Sequence, residues 1–504
     1  MSVYESGNPQ EDRSEYSIAV VGGGAASVAF IKAFVDRIVS QHTKGIQLTL
    51  FEKKDVAGTG YPFQEDFEGL RLIAPSEGMS ISAENAMHFT EWLDANETYR
   101  KMRMDNNYLP RRVYGDYLTD TLHTSMEKAK NYIKCEIMFK HVVDLHKQDN
   151  NQYEVITEEG QSFVFDFVLL AVGVAESDDH YQLMGQPGYI HRPYPAKVSL
   201  ANIGKTDTVG ILGTRLTAID MALALRDNGH TGSMVMMSEK GQLPAMVDRR
   251  GMHEAKFCTV DSLNSVLEKN HEISLRHIVR LVRKEYKEAG LDWREVYLGK
   301  GKQRDDVESV RQNIASASDK EQEWLNILFG TLPAFLFSWK HVPEKDKQLL
   351  TQNHMHDAIQ QQTPVPIGHA KQIYDLLLSE QLHIVEGIDA VHKQEQGFQV
   401  TFRDGSELTC DHIINATGYS RDVSKNDLIK NLLTKGYLVQ DYHGGIEVDY
   451  DSSAVIDKDG KKQDTLRAVG YVTHGTYLIV TLLPLVAGMA YQVAQECAKL
   501  ASAE

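Results

Sequence analysis

Two stretches in which a short apolar run meets glycines and then a helical pattern, "IAVVGGGAAS" and "VGILGTRLTA", predict the fold class. Two later stretches, "DFVLLAVG" and "DHIINATG", repeat the apolar run ending at glycine. Their order predicts an α/β chain with two Rossmann-like dinucleotide-binding domains and a helical insertion. The expected boundaries are 1–190 for the first part of one domain, 191–385 for the second domain with its insertion at about 249–366, and 386–504 for the return.

The first unit opens with Ile18 to Val21, an uninterrupted apolar run suited to a strand buried on both faces of a parallel sheet. Gly22, Gly23 and Gly24 follow, and then Val28, Ile31, Val35 and Ile38 recur at helical spacing. The turn fits G-x-G-x-x-G through Gly22, Gly24 and, in third place, Ser27, where a small residue suffices for close helix packing. With Ala25 opening the helix, the free N–H groups there point at a pyrophosphate site. The next strand, "IQLTLFE", ends at Glu52, whose carboxylate can accept hydrogen bonds from a ribose with a free 2′-OH.

The second unit carries Gly210, Gly213 and Thr214, and then Arg215 where a glycine would let the pyrophosphate approach. Two outcomes stay open: the arginine fills the space and leaves a vestigial site, or it swings aside and pairs with a phosphate. The end of the following strand, Ser238-Glu239-Lys240, offers one acid and one base, with Glu239 either binding a free 2′-OH or repelling a 2′-phosphate.

Between about Arg249 and Pro366 the glycine turns stop and helical spacing takes over, as at Leu275, Ile278, Leu281 and Val282. Trp293, Trp324, Trp339, Phe329, Phe335 and Phe337 read as helix-packing core rather than as a pocket lining. His354, His356 and Asp357 lack a distant fourth ligand, so no metal is expected. The four cysteines form no CxxC pair, which fits a reducing, cytoplasmic setting. A net charge of −17 disfavours nucleic acid and anionic membrane as partners. The polar start "MSVYESGNPQEDRSEY" reads as a disordered lead-in without export features, and Tyr477 to Ala494, interrupted by Pro484 and Gly488, reads as a buried helix rather than a membrane span.

The motifs "GTGYPF", "PRRVYGDYL", "VGILGTRLTAID", "EKGQLP" and "AVGYVTHGTY", with the two strand-then-glycine segments, resemble a bacterial FAD/NAD(P)-binding oxidoreductase family. That family is close to the flavin-dependent N-hydroxylating and Baeyer–Villiger monooxygenases. The resemblance implies FAD at the first turn, with Glu52 on its ribose, Lys53 beside the adenosine, and Gly58, Thr59, Gly60 and Tyr61 against the flavin. It makes Gly173 and Gly418 the points where the chain crosses between an FAD-binding and an NAD(P)-binding-like domain. At Gly470 many relatives carry Gly-Asp, whereas Tyr471 follows here. It also sets His474 at the flavin end, as an acid–base group or as a structural histidine.

For NADPH such relatives carry Ser-Arg or Arg-Arg after the second strand, so Ser238 and Lys240 leave NADPH and NADH both open. The resemblance implies an NAD(P)H-using monooxygenase that oxygenates a small molecule, perhaps at nitrogen, through a flavin hydroperoxide. Two other classes stay open: a flavin oxidase or dehydrogenase reduced by its own substrate, and a non-catalytic FAD-binding assembly subunit or sensor. An oligomer is compatible with each.

Overall fold

A strand apolar on both faces can only sit inside a sheet covered on both sides, and the chain builds two such sheets by running through one pattern twice. The structure, a computed structural model, describes residues 15–248, 253–294, 307–317, 323–353 and 364–503. The first pass runs β1 (Tyr16–Val21), α1 (Ala25–Gln41), β2 (Ile46–Phe51), α2 (His88–Ala95), α3 (Glu97–Asp105), α4 (Arg111–Ala129) and β3 (Ile133–Met138). An antiparallel meander, β4 (Val142–Lys147), β5 (Tyr153–Thr157) and β6 (Ser162–Phe165), leads to β7 (Phe167–Leu170).

The second pass runs β8 (Tyr189–Ile190), α5 (Ala196–Ser199), β9 (Val209–Leu212), α6 (Leu216–Asp227) and β10 (Met234–Ser238). The insertion holds β11 (Met246–Val247), α7 (Val260–Asn270), α8 (Leu275–Glu288), α9 (Val307–Ser316), α10 (Glu323–Trp339), α11 (Glu344–Asn353), β12 (Val365–Pro366) and α12 (Ile367–Leu378). Then come β13 (Leu382–Glu386), a second meander of β14 (Ile388–Lys393), β15 (Phe398–Phe402) and β16 (Glu407–Cys410), and β17 (His412–Asn415). The chain closes through α13 (Asp427–Lys435), β18 (Ala454–Ile456), β19 (Lys462–Ala468), α14 (His474–Tyr477) and α15 (Leu483–Ala503).

The strand orders expose the repetition. The first sheet reads β3-β2-β1-β7-β19-β18 and the second β13-β10-β9-β17-β8, so β1 matches β9, β2 matches β10, and β7 matches β17. The same carboxylate ties each unit shut. Asp166, entering β7, accepts from the Ser17 N–H of β1 at 2.8 Å, and Asp411, entering β17, accepts from the Thr208 N–H before β9 at 2.7 Å.

Three expectations differ in detail. The return to the first unit comes after Asn415 rather than at 386, because β17 pairs with β9 and the β14–β16 meander packs its Val391, Phe398 and Val400 against Leu212 and Met237 of the second sheet. Tyr16, read as lead-in, is a buried residue of β1, and residues 1–14 lie outside the described residues. The apolar segment from Tyr477 becomes a helix only at Leu483, with Pro484 in the first turn where its missing N–H costs little. That helix packs along α1, and no helix among the described residues is long and apolar enough to cross a membrane. Trp324, Trp339, Phe335 and Phe337 pack among the insertion helices, with Trp293 and Phe329 at the margin. His354, His356 and Asp357 fall outside the described residues.

The two units are pinned by residues 65–71 of the first. Asp66 accepts from the N–H groups of Ala196 and Lys197 at 2.7 and 2.9 Å, Leu70 is buried in the second unit's core, and the Gly69 carbonyl meets His369 Nε2 at 3.0 Å. Arg111, the first residue of α4, crosses the same seam. Its guanidinium pairs with Asp220 of α6 at 2.5 Å and donates to the Tyr194 hydroxyl at 3.1 Å, and that hydroxyl donates to Asp220 in turn. Burial opposes the Arg111 charge, but Asp220 together with Tyr194 and Tyr419 outweighs it and raises the guanidinium pKa. Only 3% of the Asp220 side chain is exposed, so removing it strands a buried cation. Asp220→Ala is expected to lower unfolding free energy by about 3–5 kcal/mol, whereas Tyr194→Phe, which keeps the ion pair, costs about 1 kcal/mol; urea denaturation followed by circular dichroism distinguishes them.

Candidate functional site

Gly22 leaves β1 with φ of +100°, and a side chain there would collide with the Ala171 carbonyl just beyond β7. Its N–H donates to the Phe51 carbonyl at 2.8 Å, which closes the turn against β2. The next N–H, of Gly23, donates to Glu52 Oε2 at 2.7 Å, and Lys54 N–H donates to Oε1 at 3.0 Å. Each carboxylate oxygen keeps a further lone pair, so Glu52 stays able to accept from a ribose. Ser27 is fully buried and its hydroxyl donates to the Gly22 carbonyl, so the third motif position serves turn and packing together. Gly24 is the N-cap of α1 without a side-chain cap, and no acid stands in the first turn, so the helix dipole faces outward for an anion.

Four other segments converge on this turn. Gly58 N–H donates to the Gly23 carbonyl at 2.7 Å, and Gly60 stands over Gly24, where a side chain on Gly24 would find only the Gly60 Cα at 3.6 Å. Gly470 abuts Ala26, at 3.5 Å for a side chain built on it. Gly173 and Gly418, both with positive φ, face open space. Beyond them the rings of Tyr194, Tyr61, Tyr419, Tyr471 and His474 form a row with successive centroids 5.9, 6.3, 5.8 and 4.9 Å apart. Burial raises the pKa of each of these four tyrosines, which keeps their hydroxyls neutral. Tyr419 keeps 38% of its surface exposed between two of the other rings, so it lines an open cleft. Lys53 is exposed beside Glu52, Thr59 lies between Gly58 and Gly60, and its hydroxyl reaches only the Gly60 carbonyl at 3.4 Å.

The second turn copies the first in backbone and differs in side chains. Gly213, φ +122°, approaches the Ala416 carbonyl as Gly22 approaches Ala171, and its N–H donates to Met237 at 2.6 Å. Arg215 is the N-cap of α6 with φ −98° and ψ −165°, against −91° and −169° at Gly24. The backbone therefore accepts a side chain there without strain. Register corrects one expectation: Val21 pairs with Phe51 as Leu212 pairs with Met237, so Ser238, not Glu239, stands where Glu52 stands. Thr214 takes the place of Gly23, and its hydroxyl lies 3.1 Å from that of Ser238 and donates to the Gln242 carbonyl at 2.6 Å. Glu239 and Lys240 are exposed. Gly210 lies inside β9, where a side chain would strike Ile413 and Met237, so its role is sheet packing rather than cofactor contact.

His474, the expected catalytic group, joins Nδ1 to the Tyr471 carbonyl at 2.9 Å, and Gly444 covers its Nε2. Burial lowers its pKa. This geometry suits positioning of Tyr471 better than proton transfer to a substrate. The sequence motifs do not single out Tyr419, Tyr194, Arg111 or Asp220. A lone Asp in the apolar helix "LTAIDMALAL" was the available signal.

The residues fit a dinucleotide at the first turn on these grounds: a cradle that only glycines allow, an uncapped helix start, and a buried carboxylate at the ribose level. Residues 19–175 match the FAD-NAD(P)-binding family. The uncharacterized protein YdhS of Escherichia coli (strain K12) is 21% identical over 464 residues, 80% of this chain and 83% of that protein. Among solved structures, ornithine hydroxylase PvdA from Pseudomonas aeruginosa aligns over 96% of this chain and 99% of its own, with a TM-score of 0.57 and 13% identity. L-lysine 6-monooxygenase from Pseudomonas syringae gives the same figures. The cadaverine monooxygenase DfoA of Erwinia amylovora, solved with FAD, covers 96% and 94% with a TM-score of 0.56 and 10% identity.

Two outcomes are expected from this geometry. Gly24→Arg, which gives the first turn the side chain of the second, should fold with the melting temperature of the flavin-free wild type yet purify without flavin, as read from the visible-to-ultraviolet absorbance ratio. Separately, burial lowers the His369 pKa from 6.5, so the unfolded chain binds the proton first as pH falls. Stability should therefore decline from about pH 6.5 downward until the folded-state pKa is passed, and melting curves of His369→Gln should show a shallower decline. Residues 19–175 are thus an FAD-NAD(P)-binding domain, within a chain that has the fold of the flavoproteins with two dinucleotide-binding domains.

Proposed function

We propose that this chain is an FAD-dependent monooxygenase that takes electrons from NADPH and oxygenates a small molecule, with an amine nitrogen as the favoured target. The observation that carries the reading is the duplicated turn: two dinucleotide cradles of one backbone geometry, in units locked together by Arg111 and Asp220, with a tyrosine-lined cleft beside the first. The amine target rests on the printed activities of the structural neighbours, an ornithine hydroxylase, a lysine monooxygenase and a cadaverine monooxygenase. Bound FAD supplies hydride acceptance and electron transfer to O₂.

The chain's own groups would do the rest. Glu52 accepts from the FAD ribose, and the start of α1 faces the pyrophosphate. At the second turn Arg215 stands at an unstrained N-cap and can pair with the nicotinamide pyrophosphate as a bidentate donor. Ser238 at the ribose level brings no carboxylate against a 2′-phosphate, which favours NADPH over NADH. Neutral tyrosines line the cleft and bring no charge to it.

Arg215 also favours a second reading, because the second turn carries a side chain at the position that Gly24 leaves open in the first: a flavin oxidase or dehydrogenase reduced by its own substrate. Anaerobic stopped-flow mixing, followed near about 450 nm where flavins absorb, separates the two. NADPH should bleach the flavin at least about tenfold faster than NADH, a ratio that corresponds to about 1.4 kcal/mol. Bleaching by neither nucleotide would overturn the leading reading in favour of the second.

A further inference from the structure

The end of β10 receives a cation that does not come from the dinucleotide motif. Gly387, just after β13, donates its N–H to the carbonyls of both Ser238 and Glu239, at 3.0 and 3.3 Å. Arg403, at the turn between β15 and β16, donates its own N–H to the Gly387 carbonyl at 2.8 Å. Its Cβ, Cγ and Cδ run 3.7, 3.9 and 4.0 Å from the point where a side chain on Gly387 would begin, so the arginine stem extends alongside Gly387 at van der Waals distance. The guanidinium then reaches Glu239 at 3.4 Å, with 59% of the Arg403 side chain and 72% of that of Glu239 exposed.

An ion pair this open to water holds weakly and exchanges readily. A phosphate monoester offers up to two charges and three acceptor oxygens in place of one carboxylate, and a guanidinium matches it in bidentate geometry. The residue at the ribose level beside this pair is Ser238, which sets no charge against a phosphate and whose hydroxyl is held by Thr214 and the Gly241 N–H.

We propose that Arg403 is a specificity-determining residue of the second site: it leaves Glu239 and binds the 2′-phosphate of NADPH over Ser238. This rests on the reading of the second turn as a nicotinamide dinucleotide site. The antiparallel meander thereby contributes to cofactor choice, and Glu239 acts as the placeholder that keeps the arginine extended when no phosphate is present.

Isothermal titration of the FAD-loaded protein with 2′,5′-ADP and with 5′-AMP tests this, since the two probes differ by the 2′-phosphate alone. The wild type should bind 2′,5′-ADP more tightly. Arg403→Ala should weaken 2′,5′-ADP by about tenfold or more and leave 5′-AMP unchanged, with Arg403→Lys in between and Glu239→Gln binding 2′,5′-ADP more tightly than wild type. Equal loss for both probes, or no loss for 2′,5′-ADP, overturns the role of Arg403 while leaving the second site standing. A wild type that binds neither probe overturns the site itself and this inference with it.

Discussion

Backbone meets backbone at the two glycines that end β1 and β9, and this close approach organises the molecule. At Gly22 the neighbouring segment is Ala171, past the end of β7, and at Gly213 it is Ala416, past the end of β17. A β-carbon at either place would push apart two parallel strands that hydrogen-bond along their whole length. Because the strands stay together, the helix that follows starts directly above the sheet, with its N–H groups at the carboxyl edge where open α/β sheets bind ligands. The crossover segments leave the sheets at this same edge, so the constraint also decides where the two units meet.

One backbone has been given two chemistries. At the first turn Gly23, Gly24 and Glu52 bring no side chain to the helix start and present a carboxylate, and at the second Thr214, Arg215 and Ser238 bring side chains and no carboxylate. The substitutions act together. A hydroxyl pair, Thr214 with Ser238, replaces the amide-to-carboxylate bond of Gly23 with Glu52, so the turn keeps a cross-link while its charge at the ribose level falls to zero. With Arg215 at the helix start, the local field becomes more positive.

Much of this was legible in the sequence, because the informative signals are local. The run Ile18 to Val21, the triplet at Gly22 and the apolar spacing from Val28 to Ile38 each report on neighbours within a few residues, and they placed β1, the turn and α1. What the sequence hid are contacts between distant segments. Arg111 and Asp220 meet only because α4 and α6 begin at one seam, and Tyr61, Tyr419 and Tyr471 form a row only because three loops converge. The offset between Ser238 and Glu239 is a matter of strand register, which one residue of slip changes and which no propensity encodes. The misplaced return at 386 has the same origin: nothing in "AVHKQEQGFQVTF" says which sheet its meander will cover.

The second unit lies nested inside the first, so the first is begun earlier and completed later. β19 and β18 finish its sheet from residues 454–468, and α15 covers the apolar face of α1 from residues 483–503. During synthesis the inner unit can close as soon as β17 emerges, while the outer one still lacks the helix that packs along α1. The cradle at Gly22 to Ser27 therefore acquires its Gly470 wall only near the end of translation. A site whose walls come from both ends of the chain is therefore complete only after the inner unit has closed, and a ribosome stalled before residue 454 would hold an open half-sheet.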